Sequence, residues 1–131
     1  MKLIPLYIAF LLPLVALANG RSFEERVRQA KQIEQTPNGM AYQKVLWKQT
    51  GDYAAKAMQH CFPRGTQLDT NAFTLVGDVG RDAHLHDVEV WPATSMSRCF
   101  ADAFSLAPFP PVPSAFVRTG LPLEIDMKVG P

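Results

Sequence analysis

Three histidines and two cysteines are the residues of this 131-residue chain with the most direct chemistry to offer. His84 and His86 stand two apart, so in a strand they project to one face, a spacing that can hold zinc, and Asp82 lies just upstream. That set ends at two ligands in register, because the sulfur donors Cys61 and Cys99 are expected to pair with each other. No metal is therefore expected. His60 ends a helical run, where a cation suits the helix dipole. No glycine-rich phosphate loop occurs, and no serine or aspartate forms a triad pattern with a histidine. Neither a catalytic residue nor a cofactor is expected. What remains is oxidative pairing of Cys61 with Cys99, which requires an oxidising compartment; two buried thiols are the alternative reading.

The elements that would position these residues follow from periodicity. Phe73, Leu75, Gly77 and Val79 alternate with Thr74, Val76 and Asp78, a turn follows at Arg81, Asp82 and Ala83, and a second alternating run passes through Val88 and Val90. From Leu121 to Val129 the alternation is unbroken, with Pro122, Glu124, Asp126 and Lys128 at the intervening positions. Cys99 lies on a short helix between the second and third strands, and Cys61 ends a run (Tyr53, Ala54, Ala57, Met58) that Asp52 could cap, so their bond would staple helix to helix. Upstream, Ser22 and Glu25 form a capping box before Phe23, Val27, Ala30 and Ile33, which recur at helical spacing among Arg26, Arg28 and Lys31. A further helical run from Met40 through Tyr42, Val45, Leu46 and Trp47 stops near Thr50 and Gly51 or continues, kinked, into the Asp52 helix; Leu46 and Trp47 read as core. If Phe73, Leu75 and Val79 face the helices together with His86, Val88, Val90 and the apolar residues of the last strand, the opposite face gathers Asp78, Asp87, Glu89, Glu124 and Asp126. A right-handed crossover then leaves the first strand central, in order 2-1-3, and the third at an edge.

Export is read from the N-terminus. Lys2 precedes a charge-free run from Leu3 to Ala18 that ends in the small-x-small triplet Ala16-Leu17-Ala18, so residues 1–18 read as a signal peptide cleaved after Ala18. The run is shorter than the ~20 residues of a spanning helix and holds Pro5 and Pro13, so no stable membrane anchor is expected after cleavage, and the location is the periplasm or the exterior. No cysteine follows the triplet, against a lipoprotein. The chain has 13 basic and 12 acidic side chains; loss of Lys2 leaves it formally neutral, an unpromising nucleic-acid binder. Residues 19–64 hold eight Lys or Arg against four acids, and residues 65–131 hold four against eight. One modest core fits this length, with a helical segment over 19–50 leading into a domain over 51–131.

In order and residue type, Phe73 to Val129 resembles the C-terminal domain of TonB and TolA, the periplasmic ends of proteins that bridge the bacterial envelope. The resemblance rests on the turn with Asp82, the Asp87-Val88-Glu89-Val90 run, the Cys99 helix, the bend Phe109-Pro110-Pro111-Val112-Pro113 and the closing strand. It departs at Ala83, where that family's turn carries glycine. It implies an α+β fold, a three-stranded antiparallel sheet in order 2-1-3 with helices packed on one face, here preceded by one or two extra N-terminal helices. TolA-like domains carry a disulfide to this second helix from a first-strand cysteine, where this chain has Phe73, so only the Cys99 half carries over. The resemblance further implies that the last strand binds an envelope or periplasmic protein by strand addition, through Leu121, Leu123, Glu124, Ile125, Asp126, Met127, Lys128 and Val129. The sequence shows neither the uncleaved helix nor the long spacer of those transducers, so an accessory or adaptor is expected. An inhibitor or immunity-type protein acting through the acidic sheet face is the alternative.

Overall fold

The computed structural model describes residues 20–62 and 72–128. The expected signal peptide over 1–18 and Val129 lie outside the described residues.

Helix α1 (Phe23–Glu34) starts where Ser22 Oγ accepts the Glu25 N–H at 3.2 Å. Helix α2 (Pro37–Cys61) follows after a two-residue corner, with Thr36 as its cap and Pro37 in its first turn. The corner is tight: a Cβ on Gly39 would lie 1.7 Å from the Ile33 carbonyl oxygen, so only glycine fits. The expected break near Thr50 and Gly51 does not occur, and α2 runs on for 25 residues. Glycine within a helix costs about 1 kcal/mol, but the buried stripe Tyr42, Leu46, Thr50, Ala54, Ala57 and Cys61 crosses Gly51 without losing phase, and the packing of that stripe outweighs the propensity. Leu46 is fully buried, whereas Trp47, expected in the core, is 42% exposed because it lies on the flank of that stripe.

Strands β1 (Phe73–Val79), β2 (Leu85–Trp91) and β3 (Leu121–Met127) form one antiparallel sheet in the order β2-β1-β3, as anticipated. The β1–β3 register is regular from Phe73↔Met127 to Val79↔Leu121. Between β1 and β2 it shifts: Val76 pairs with Glu89 but Asp78 with His86, so two residues of β2 oppose Gly77. The extra residue is Asp87, at φ 51°, a conformation aspartate tolerates better than most residues. This bulge reverses the alternation upstream of it. Leu85, not His86, turns into the core, and its side chain occupies the space a Cβ on Gly77 would need, 2.7 Å away. His86, expected on the helix side, faces outward.

Helix α3 (Ser95–Phe104), capped reciprocally by Thr94 and Ser97, crosses one sheet face with α2 outside it. Phe73, Phe100, Phe104 and Phe109 make a chain of aromatic contacts with centroids 5.5–5.6 Å apart, continuous with Leu46, Leu75, Leu121, Leu123 and Ile125. The proline bend is tied to α2, since the Tyr42 hydroxyl donates to the Pro110 carbonyl at 2.9 Å and the Gln49 amide to the Pro108 carbonyl at 2.7 Å. Cys61 and Cys99 form a disulfide between the last turn of α2 and α3, with Cα atoms 5.7 Å apart. The sheet does not keep its helices on one face, because α1 covers the other.

Candidate functional site: the last strand and the helix over it

Strand β3 lies at the sheet edge, and its alternation divides the expected contact residues into two sets. Leu121, Leu123 and Ile125 are buried in the protein's own core, so their side chains are spent on folding. Glu124 and Asp126 point to the opposite face, Met127 is half-buried, and Lys128 is exposed just past the strand end. β3 therefore has main chain and a few polar side chains to offer, and little apolar surface.

The face opposite the core carries the expected carboxylates, since cross-strand partners share a face: Val76 with Glu89 and Glu124, Thr74 with Asp126. The cations of α1 meet them. Arg26, only 8% exposed at its side chain, reaches Asp78 at 3.3 Å and Glu89 at 3.6 Å; Arg21 stands 3.5 Å from Asp78 and also bonds Gln29. One turn and a half further on, Lys31 lies 3.3 Å from Asp126 and 4.0 Å from Glu124. Ala30, between these two contacts, is fully buried, as is Val76 on the sheet face that α1 covers. The apolar stripe Phe23, Val27, Ala30 and Ile33 suggested a generic cover; sequence reasoning missed that Arg26 belongs to the buried side. The signal available was the opposite charge of the two halves of the chain.

At the C-terminal end of α1 the charges do not balance. Burial, then the neighbouring Glu124 carboxylate, pushes the Glu34 carboxyl up to about 7. Glu124, with 8% of its side chain exposed, is raised by burial and by Asp126. Asp126 is held below its ordinary value, chiefly by the Thr74 hydroxyl, which donates to it at 2.6 Å, and Lys31 is raised through its bond to Asp126. Glu124 Oε2 is buried and without a hydrogen-bond partner among the described residues.

The histidines do not assemble as a ligand set. The His86 Nε2 lies 2.9 Å from both Asp82 carboxylate oxygens, which raises the His86 pKa and lowers that of Asp82, while His84 contributes only its backbone N–H to Asp82 at 3.1 Å. This pair braces the hairpin turn. Asp82 ties two residues of the β2 side back to a loop in which the Ala83 N–H donates to the Gly80 carbonyl and Ala83 itself stands at φ 60°. Among the described residues, no group of three or more His, Cys, Asp or Glu is placed to hold a metal ion, and no helix is long and apolar enough to cross a membrane. Comparisons with protein-family models, with curated proteins and with solved structures find no match for the chain.

Proposed function

We propose that the chain is an exported protein-binding module, similar in plan to the C-terminal domain of TonB and TolA, that takes a partner strand along the free edge of β3 and acts as an accessory or adaptor of an envelope complex. The observation that carries this reading is the placement of a regular, seven-residue strand at the edge of a sheet whose two faces are both occupied. An edge strand presents unpaired backbone groups that template another strand. Pro122 has no N–H, and proline in a strand turns its nitrogen away from the ladder. Glu124 and Asp126 share its phase, so their N–H and C=O groups are the ones turned outward. The resemblance supplies the class of partner, an envelope or periplasmic protein. The alternative of an inhibitor with an acidic face finds that face largely occupied by α1, which leaves Asp87, Glu89 and Asp126 exposed there.

The test uses Asp126→Pro against Asp126→Asn, each confirmed as folded by circular dichroism. Asn removes the side-chain charge and keeps the N–H; Pro removes the N–H as well. Strand addition predicts that proteins captured from envelope extract by wild type and by Asp126→Asn are lost with Asp126→Pro. Retention by the proline variant, with loss in the double variant Asp87→Lys and Glu89→Lys, would move the site to the acidic surface.

A further inference from the structure

We propose that Glu34 and Glu124 meet as one carboxyl–carboxylate pair across the contact between α1 and β3, sharing a single proton, and that this proton latches α1 onto the sheet. The geometry begins with Glu124. Its side chain is 8% exposed, one of its oxygens stands 4.0 Å from Lys31 Nζ, and the other, Oε2, is buried without a hydrogen-bond partner among the described residues. A buried carboxylate oxygen left unpaired is costly. Glu34 is half-buried and follows Lys31 by three residues on the same face of α1, which places it beside Glu124, and its protonated carboxyl supplies the missing donor.

The groups facing the pair are few. From α1 comes Lys31, and from β3 comes Asp126, which already binds Lys31 and the Thr74 hydroxyl. β1 contributes the apolar Val76 opposite Glu124, and α2 begins with the uncharged Pro37, Asn38 and Gly39. Lys128, just past the end of β3, makes no ion pair here among the described residues. With one proton on the pair, Lys31 faces two negative charges, Glu124 and Asp126. Without it there are three, and two of them are adjacent and partly buried. Like-charge repulsion then acts at the end of α1, next to the corner at Gln35 and Thr36.

The sign follows from the raised affinity for the proton. A carboxyl bound more tightly to its proton in the folded state leaves the latch intact below about pH 4.5, the ordinary glutamate value, and weakens it progressively up to about 7, where Glu34 titrates. This behaviour does not depend on what β3 binds.

Two measurements on the full chain test it. Carbon-13 NMR of the glutamate side-chain carboxyls should show the pair losing its last proton near neutrality. Hydrogen exchange, corrected for its intrinsic pH dependence, should show α1 opening relative to α2 rising at least about tenfold between pH 5.5 and 8. Glu34→Gln, neutral at every pH, should hold that opening at its low-pH level, and Glu24→Gln, in the exposed first turn, should behave as wild type. Carboxyls that all titrate in the ordinary glutamate range would overturn the latch. So would α1 opening that is independent of pH in the wild type, or pH dependence that persists in Glu34→Gln. If Glu34→Gln does not fold, the wild-type carboxyl titration decides alone.

Discussion

Ala83 sits in the left-handed region at φ 60°, in the turn position where glycine is at ease and a Cβ is not. A non-glycine residue there costs about 1–2 kcal/mol, partly offset in any glycine variant by the extra freedom of the unfolded chain. Ala83→Gly should therefore stabilise the protein by about 0.5–1 kcal/mol, read as a higher urea midpoint with an unchanged slope. At this scale the sequence was informative where a residue type has one conformational use. The turn at Arg81, Asp82 and Ala83 could be placed from its composition. The role of His86 could not, because it depends on a single inserted residue, Asp87, that shifts every side chain before it to the other face.

Elements declared themselves in proportion to how regular they are. β3 alternates without interruption, so its existence, its phase and its edge position were readable in advance, and its pairing with β1 has no irregularity. α2 was harder, because glycine at position 51 argues for an end that only the buried stripe overrules. The position of α1 was the least legible, since no rule of periodicity says which charged residue of an amphipathic helix will be buried. Its two cations now separate into different classes. Arg26→Ala strands Asp78, which is 15% exposed, beside Arg21 alone and should cost about 3 kcal/mol, as for other partly desolvated ion pairs that lose one partner. Lys31→Ala, at a half-exposed position, should cost less than about 1 kcal/mol. Chemical denaturation of the two variants side by side measures the contrast, and a similar loss in both would contradict the burial of Arg26.

At the scale of the whole molecule, the described residues form three α-helices around a three-stranded sheet with both faces covered, held by one disulfide outside the sheet. That bond joins residues 38 apart, and closing a loop of that length stabilises by about 4 kcal/mol in the chain-entropy description. Cys99→Ser should lower stability by about 2–5 kcal/mol, measured by thermal unfolding of oxidised wild type against the variant, and reduction of the wild type should reproduce the loss. The pairing of Cys61 with Cys99 was legible because only two cysteines exist. The closure of the acidic face was not, since it requires knowing that the first helix returns to the last strand.

That return has a consequence for the order of events as the chain is made. Lys31 and its partner Asp126 are 95 residues apart. At about 5–20 residues per second of synthesis, α1 waits roughly 5–20 seconds for the strand it docks on. During that interval α1 is a short solitary helix, marginal in water by itself, and β1 with β2 is a hairpin lacking its third strand. The nascent chain thus stays pliable until β3 emerges, and the ion pairs that close the sheet form only after the last strand is free.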